Sequence, residues 1–425
     1  MMPEIKGLKG LLYNQAIAKS YEQLLCPPYD VISDDLQREL YQKSEYNAVR
    51  LELPIEENRY DAAAARFVAW QAEGALLRDA KEAIYPYFQT FTTKSGEIYT
   101  RKGLIALCRL YDFSEGKVVP HERTLSGPKA DRLNLFKKTE ANFSCIFGLY
   151  SDTEKTVDSL VKAFAQNSPP MIDALDSQSV QHQLWRMDDE SKIEKIQAAL
   201  QTLPIYIADG HHRYETGVQY RNLRKDANPE HTGNEPYNYI MMYIANMHDE
   251  GMVIFPTHRL VHSLPDFSLD ALLAKLRPLF ELTELPDKTA LKIFMEAHPK
   301  HAFGMIAQNV SYGISLKVSL DEAIAETMPN ALKSLDVTIL HHAILGERLG
   351  LSQESQARQT NLIYSKDVDE VFEKVASGAV QLGFVMNATS IHEVVDVASV
   401  GEVMPQKSTY FYPKLATGLV FNALS

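Results

Sequence analysis

The order of apolar and polar residues along the chain predicts helices and strands that interleave. The alanine-rich segment 61–79 carries apolar residues at helical spacing, and Ser33 stands in an N-cap position before segment 34–44, so both segments are predicted to be helices. Aromatic and β-branched residues flank residues 94–97, which is typical of a β-hairpin. Because no regular βαβ rhythm follows, the predicted fold class is α+β, with mixed sheets and interleaved helices.

Three further segments carry predictions about local structure. Segment 47–54 favours a strand, in which Arg50 and Glu52 would share one face and form a cross-strand ion pair. Segment 114–145 is a polar stretch that carries many functional side chains, and few core residues are expected in it. Segment 181–188 is predicted to be an edge strand.

Length and charge narrow the class of protein. The chain has 425 residues, of which 55 are acidic and 43 are basic, and its net charge is −12. Because nucleic acid is also negatively charged, we do not expect the protein to bind it through overall electrostatic attraction. Its three cysteines are far apart and form no CxxC pair, which argues against a disulfide framework or a zinc ribbon. No signal peptide and no long apolar run is present, so we expect a cytoplasmic protein without a membrane partner.

The most informative segment joins a predicted strand to a predicted helix. The apolar residues 203–208 end at Asp209, Gly210 permits a tight turn, and a helix is expected to begin near His211, His212 and Arg213. A helix N-terminus with imidazole and guanidinium groups beside it is a suitable anion site, and phosphate is the anion that best explains these residue types. The alternative is that Asp209 caps the helix and the histidines lie on the surface.

Two pairs of adjacent histidines are candidates for metal binding, but their spacing does not favour it. Neighbouring residues on a helix point about 100° apart, so His211 and His212 are poorly placed to chelate one ion together. The chain contains no HExxH motif. His341 and His342 occur on a predicted helix, where we expect one core histidine and one surface histidine.

Three other clusters of polar residues are candidates for function. Segment 118–142 suits phosphate and ribose contacts, or is a solvated charged loop. Segment 24–33 holds Tyr29 and Asp30 behind two prolines, either as a structural corner or as the site of a general base. In segment 403–418, Lys407 and Lys414 could close over a polar ligand, or the neighbouring aromatic residues could be hairpin core.

Four motifs in order resemble one known family. The sequences CPPYDVI (26–32), PHERT with downstream KADRL (120–133), ADGHHRYET (208–216) and MPQKSTYFYPK (404–414) look like the domain-of-unknown-function family 1015 of bacteria and archaea. The Asp-Gly-His-His-Arg turn is also similar to that of archaeal free-serine kinases, which share a core with ParB clamps and sulfiredoxin. This resemblance implies a ParB/sulfiredoxin-like phosphate-binding core in residues 1–230, and residues 231–425 are expected to form a second α+β domain that packs on the core.

The resemblance to the kinases also implies roles for individual residues. It places Gly210, His211, His212 and Arg213 at the phosphates, with Asp209 near Mg²⁺ or the acceptor hydroxyl. The catalytic base would be Asp30 or Glu52, and no shared motif decides between them. Further phosphate or nucleotide contacts are expected from the polar clusters, namely His121, Glu122, Arg123, Lys129, Arg132 and Lys407.

Together these features predict a small-molecule phosphotransferase. It would use a nucleotide or pyrophosphate with Mg²⁺ to phosphorylate a hydroxyl of serine or a similar hydroxy acid. One alternative is a nucleotide-binding and nucleotide-hydrolysing switch of the ParB kind. Another is a metal-dependent hydrolase built on His121, Glu122 and His211. The expected partner is a small-molecule substrate, and assembly into a homo-oligomer is an open possibility.

Overall fold

The computed structural model describes residues 3–122, 126–324 and 327–424. It confirms an α+β fold in which helices and strands interleave along the chain. Within these residues, no helix combines the length and the apolar character needed to cross a membrane.

The strands have the following bounds: β1 Ile5–Lys6, β2 Leu11–Tyr13, β3 Leu76–Arg78, β4 Tyr85–Thr92, β5 Ile98–Arg109, β6 Val118–Val119, β7 Ala141–Asn142, β8 Ile146–Tyr150, β9 Ile172–Leu175, β10 Gln181–Leu184, β11 Ile205–Asp209, β12 Tyr239–Asn246, β13 Val253–Phe255, β14 His258–Val261, β15 Phe280–Leu285, β16 Ala302–Ala307, β17 Val310–Leu316, β18 Leu362–Ser365, β19 Leu382–Met386, β20 Tyr410–Tyr412 and β21 Asn422–Ala423.

The α-helices have the following bounds: α1 Gln15–Ala18, α2 Tyr21–Leu24, α3 Asp34–Lys43, α4 Val49–Glu52, α5 Arg59–Ala72, α6 Ser126–Thr139, α7 Thr156–Gln166, α8 Glu190–Leu200, α9 His211–Ala227, α10 Leu269–Leu276, α11 Lys288–Ala297, α12 Leu320–Ala323, α13 Asn330–Lys333, α14 Asp336–Ile339, α15 Gln353–Arg358, α16 Val368–Ala376 and α17 Ile391–Ser399. A π-helix spans Leu340–Gly346, and a 3₁₀-helix spans Tyr29–Val31.

The chain divides into two compact units. The first contains the described parts of 1–120, 124–253 and 413–425, and the second contains those of 121–123 and 254–412. We predicted a domain boundary after residue 230. The observed division comes later because β12 lies between β5 and β8 and therefore belongs to the first sheet.

The first unit is built on one mixed sheet. Its strand order is β6-β11-β8-β12-β5-β4-β10-β9, and β1 adds to β5. β12 is parallel to β8 and antiparallel to β5, and its apolar residues Ile240, Met242 and Ile244 lie in the core beneath α7, α8 and α9. This sheet holds the strand end at Asp209, where the candidate site begins.

The second unit is built on an antiparallel sheet of its own. The strand order is β15-β17-β16-β19-β14-β18. One face packs Phe303 and Phe384 against the segment that contains the π-helix, and the other face packs Leu260 and Val385 against α11 and α16. Because both faces of the sheet are covered, the central strands β16 and β19 are apolar and buried along their whole length.

Several local predictions are confirmed. Helices α3 and α5 form as expected, and the Ser33 hydroxyl accepts the backbone N–H of Leu36 at 3.3 Å. β4 and β5 form the predicted hairpin. All three cysteines are free and buried.

Three local predictions are wrong. Segment 47–54 contains the short helix α4 rather than a strand, because the Asn47 side chain accepts the N–H of Val49 and one helical turn buries Val49, Leu51 and Glu52 together. Arg50 and Glu52 therefore do not form a cross-strand pair. Segment 114–145, in which few core residues were expected, contains α6, and its buried residues include Leu133, Leu135 and Phe136. β10 is not an edge strand, because β9 lies outside it.

The position of the first core gives a stability prediction. Ile244 is fully buried in β12, whereas Ile98 at the start of β5 is 72% exposed. Ile244→Ala should lower the free energy of unfolding by about 2–5 kcal/mol, because it removes buried methyl groups and leaves a cavity. Ile98→Ala should change it by less than about 0.5 kcal/mol. Urea unfolding monitored by circular dichroism checks both values, and equal effects would contradict this placement of the core.

Candidate anion-binding site

The strand-to-helix turn begins at an irregularity in the sheet. β11 pairs with β8 in antiparallel register up to Ile207, and the register then shifts before Asp209 pairs with Phe147. Such bulges turn the side chains at a strand end away from the regular alternation. Gly210 follows with a φ of 90°, and α9 starts at His211. The predicted strand, turn and helix are therefore all present.

Position 210 requires glycine for two reasons: a side chain would not fit there, and the backbone has a left-handed φ angle. A Cβ atom on this residue would lie 3.0 Å from the Arg213 Nη2 atom and 3.1 Å from its Nε atom. The guanidinium of Arg213 therefore packs over the turn, where any side chain on residue 210 would displace it. The left-handed φ would strain a side chain there independently of the space.

Asp209 is held by a lysine from the C-terminal end of the chain. Its Oδ2 atom lies 2.9 Å from Lys414 Nζ, and its Oδ1 atom accepts the Gly210 N–H at 2.9 Å. Burial raises the pKa of Asp209, but the charges of Lys414 and Arg213 outweigh burial and hold the pKa below its ordinary value. Asp209 is thus a carboxylate that positions Lys414, and it is a poor proton acceptor near neutral pH.

Arg213 is a buried cation with unused hydrogen-bonding capacity. It is 7% exposed, and its Nη1 atom donates to the carbonyl oxygen of Cys145 at 2.6 Å. Its Nε atom is buried and has no hydrogen-bond partner among the described residues. Burial lowers the pKa of Arg213, but Asp209, Tyr29, Asp30 and other acidic groups raise it above its ordinary value. The guanidinium therefore stays charged.

Glu52 belongs to a polar cluster around Arg213. The cluster consists of Asp209, Glu52, Arg132, Ser144, Tyr29, Asp30 and Arg213. It is 2% exposed and accepts hydrogen bonds from Arg132 at 3.3 Å and from the Ser144 hydroxyl at 3.0 Å. Arg132 also packs over the Tyr29 ring, with 4.1 Å between its guanidinium carbon and the ring centroid. Burial raises the pKa of Tyr29 to about 12 despite the nearby charges of Arg213 and Arg132. Glu52, Arg132, Ser144 and Arg213 line a cavity of about 20 Å³, which is room for one water molecule.

Asp30 is the accessible carboxylate of this cluster. It lies in the 3₁₀-helix after the two prolines and is exposed. Its charge acts on both Tyr29 and Arg213. Among the described residues it makes no ion pair within 4 Å, which distinguishes it from Asp209 and Glu52.

The remaining residues predicted for the site are distributed over both units. In the first unit, His211 is buried, His212 is half-buried, and Lys129 on α6 forms an ion pair with Glu215 on α9 at 2.6 Å. In the second unit lie His121, Glu122 and Lys407. Arg123 lies outside the described residues.

Two of these second-unit residues are held by the backbone of segment 404–409. His121 is buried, its Nε2 atom lies 3.1 Å from Thr409 Oγ1, and its carbonyl oxygen accepts the N–H of Met404 at 2.7 Å. Glu122 accepts the N–H of Ser408 at 3.2 Å. The second and fourth sequence motifs thus meet inside the second unit.

Two contributors to the site were only partly predicted or were missed. Lys414 was predicted as a residue that could close over a polar ligand, but the sequence offers no local signal that joins it to Asp209, 205 positions away. Ser144 follows the charged segment and carries no motif of its own. Among the described residues, no group of three or more His, Cys, Asp or Glu side chains is arranged to hold a metal ion.

The fold and this cluster define a class: an α+β protein with a buried arginine and a lysine at a strand-to-helix turn suited to an anion. Its family is known from sequence. The family model described as "Protein of unknown function (DUF1015)" matches residues 5–338, and the chain belongs to that family. No curated protein matches the chain.

Several solved structures are similar to parts of this chain at low identity. A conserved hypothetical protein from Pyrococcus furiosus has 15% identity and a TM-score of 0.34, with 70% of this chain and 89% of that chain covered. A free serine kinase in complex with AMP has 14% identity and a TM-score of 0.35, with 69% and 83% covered. SbnI from Staphylococcus aureus, truncated at its C-terminus, has 9% identity and a TM-score of 0.35, with 73% and 85% covered. The ParB/sulfiredoxin-like core stays a prediction.

The Asp209–Lys414 pair gives a prediction about protonation. In the wild type, the lowered pKa keeps Asp209 ionised from pH 7 to below about 4, the ordinary value for aspartate. The stability that this pair contributes is present above the ordinary value and is lost as pH falls through the lower pKa of the folded state. Lys414→Met should raise the pKa of Asp209, because burial remains while its strongest counter-charge is gone.

A titration of the Asp209 carboxyl carbon by NMR measures this change. Lys192→Met is the matched control, because Lys192 pairs with Asp189 on the surface of the same unit. An unchanged Asp209 pKa in Lys414→Met would contradict the claim that the charge of Lys414 lowers this pKa.

Proposed function

We propose that this protein is a phosphotransferase that moves a phosphoryl group to the hydroxyl of a small molecule. The observation that carries the proposal is the buried guanidinium of Arg213, which packs on the Gly210 turn at the start of α9 with its Nε–H unsatisfied by the described residues. A phosphate oxygen is an acceptor that would satisfy this donor and offset the buried charge.

The charges around the turn support a phosphate as the anion. Lys414 adds a second cation beside Arg213, and α9 has no acidic residue in its first turn to compete with a bound anion. The positive end of the helix dipole lies at the same point. Fixed donors of this kind stabilise the charge on a transferring phosphoryl group more effectively than water does.

The three carboxylates of the cluster suit different roles. Asp209 is held by Lys414, and its pKa is held low by Lys414 and Arg213 against the effect of burial. Glu52 is buried in hydrogen bonds with Arg132 and Ser144. Asp30 is exposed and has no ion-pair partner among the described residues, so we assign it as the base that takes the proton from the acceptor hydroxyl.

The reaction forms one oxygen–phosphorus bond and breaks another. The acceptor oxygen attacks phosphorus as its proton passes to Asp30, and the oxygen of the nucleotide or pyrophosphate donor leaves with the bonding electrons. If Mg²⁺ binds together with the donor, it would supply charge neutralisation at the phosphate groups, while Asp209, which accepts hydrogen bonds from Lys414 and from the Gly210 N–H, would position Lys414. We propose serine or a similar hydroxy acid as the acceptor.

Phosphorus NMR on the purified chain tests the reaction. Mg²⁺ is supplied with ATP, ADP or pyrophosphate in turn, and with serine or a panel of hydroxy acids. We expect a new phosphomonoester resonance that requires both donor and acceptor. Release of free phosphate without an acceptor would favour a hydrolysing switch, and an unchanged donor would contradict phosphoryl transfer by this site.

Arg213→Lys tests the guanidinium while retaining the positive charge. Because lysine lacks the planar set of donors, kcat/KM should fall by about 10²–10³-fold. Arg221→Lys is the control on the same helix, where Arg221 contacts Leu110 and Asp112 outside the cluster. Equal activity of the two variants would contradict the role of Arg213, and circular dichroism of both variants confirms that the fold is intact.

Asp30→Asn tests the base. It should lower kcat by about 10²–10⁴-fold with little change in KM, because the substitution removes proton transfer and keeps the shape of the side chain. Asp35→Asn is the control, because Asp35 is also exposed and lies one helix away, where it pairs with Arg38. If Asp30→Asn keeps the wild-type kcat and its pH profile, Asp30 is not the base.

A further inference from the structure

The second unit contains a cavity that the proposed phosphotransfer does not use. Its volume is about 360 Å³, which falls in the range of small-molecule sites in proteins, about 300–1,000 Å³. The π-helix contributes His341 and His342, and segment 402–406, which overlaps the fourth sequence motif, forms another wall. π-Helical turns occur frequently at functional sites.

Two hydroxyl groups in the wall of this cavity have unused hydrogen-bonding capacity. Thr338 is 1% exposed, and its Oγ1 atom is buried without a hydrogen-bond partner among the described residues. Tyr364 also lines the cavity, and its hydroxyl makes no hydrogen bond to a described residue. A buried hydroxyl without a partner is unfavourable, and a ligand with an acceptor atom would remove that cost.

A buried arginine gives this cavity a positive environment. Arg259 is 1% exposed, and within the described part of the chain its hydrogen bonds go only to neutral acceptors: His341 Nε2 at 3.2 Å, the carbonyl oxygen of Lys407 at 2.9 Å and the carbonyl oxygen of Thr257. Its guanidinium carbon lies 5.2 Å from the centre of the Tyr364 ring. Arg259 therefore touches two of the residues that line the cavity.

The charge of Arg259 is only weakly compensated by the protein. No described carboxylate lies within 4 Å of it, and Glu122 acts on it from a greater distance while accepting the N–H of Ser408. Burial lowers the pKa of Arg259 to about 10, although Tyr364 and Glu122 act in the opposite direction. A buried cation without a close counter-charge is costly, so an anion in the adjoining cavity would be stabilising.

His341 and Gln356 keep this wall in one arrangement. Burial, together with the charge of Arg259, lowers the pKa of His341 well below its ordinary value, so the ring stays neutral and accepts the Arg259 Nε–H. The Gln356 amide donates to the carbonyl oxygens of His341 at 3.2 Å and Leu351 at 2.7 Å. These hydrogen bonds hold both side chains in the wall of the cavity.

We propose that this cavity binds a small organic molecule through a single carboxylate group. The carboxylate would accept hydrogen bonds from Thr338 and Tyr364 in the field of Arg259. Met328, Leu332 and Met404 would contact the apolar body of the molecule. Glu402 also lines the cavity, and its charge disfavours dianions such as phosphate.

Calorimetric titration of the full chain tests the proposal with benzoate and 4-methylpentanoate as probes. Benzamide and 4-methylpentanamide have similar shapes without the charge, and inorganic phosphate supplies a different anion. We expect saturable binding of the carboxylates and at least tenfold weaker binding of the amides and of phosphate. Equal binding of acid and amide, preferential binding of phosphate, or no binding of any carboxylate would overturn the proposal.

Two substitutions assign binding to this cavity. Thr338→Val and Tyr364→Phe should each raise the Kd of the carboxylate probe about tenfold, because each removes a hydrogen bond to a charged group. Thr216→Val and Tyr312→Phe are the controls and should keep the wild-type Kd. Thr216 is buried, with a hydroxyl that also lacks a partner among the described residues, but it lies in the first unit. Tyr312 lies on β17 of the second unit, outside the lining of this cavity.

Urea unfolding of the variants distinguishes the loss of a ligand contact from the loss of the fold. Thr338→Val should unfold at the same or a higher urea concentration, because it removes a buried hydroxyl without a partner. If that variant does not fold, the half-buried Tyr364→Phe decides the question, and an unchanged Kd there overturns the assignment. Phosphomonoester formation by the same variants tells failure of this proposal apart from failure of the proposed function.

Discussion

The buried guanidinium of Arg213 is the group on which the polar site of the first unit depends. The carboxylates and carbonyl oxygens around it offset the cost of burying this charge. Asp209 lies beside it in the turn, the Cys145 carbonyl accepts one of its N–H groups, and Asp30 adds a third compensating group. The same guanidinium occupies the space above residue 210, which restricts that position to glycine. The position of the Arg213 side chain thus explains why residue 210 is a glycine.

Lys414 is the second cation at the turn, and its ion pair with Asp209 gives Asp209 and Asp30 different roles. Its ammonium group engages Asp209, so Asp209 serves to position a cation and Asp30 stays accessible. The DUF1015 family motifs are divided between the two units. The turn and the Pro-Pro-Tyr-Asp corner lie in the first unit, whereas His121 and segment 404–409 contact each other in the second.

Sequence reasoning predicted what depends on neighbours along the chain. The end of the strand at Asp209, the glycine turn and the helix at His211 follow from local pattern and backbone preference, and the structure contains all three. The prediction failed for Glu52, because a four-residue alternation fits a strand and a single helical turn equally well. The pairing of Lys414 with Asp209 could not be predicted, since it depends on the folded path of 205 residues. The division of residues 114–145 into α6 and its flanks was hidden by the dense charge on the helix surface.

The central claim is that the turn from Asp209 to Arg213 binds phosphate groups. The most direct measurement follows the backbone amide resonance of Gly210, whose N–H donates to Asp209 in the unliganded protein, while pyrophosphate is added to ¹⁵N-labelled wild-type protein. We expect a saturable shift of the Gly210 resonance in the wild type and a much weaker response in Arg213→Lys. A Gly210 resonance that stays unchanged at saturating pyrophosphate, or that responds equally in both proteins, would contradict the claim.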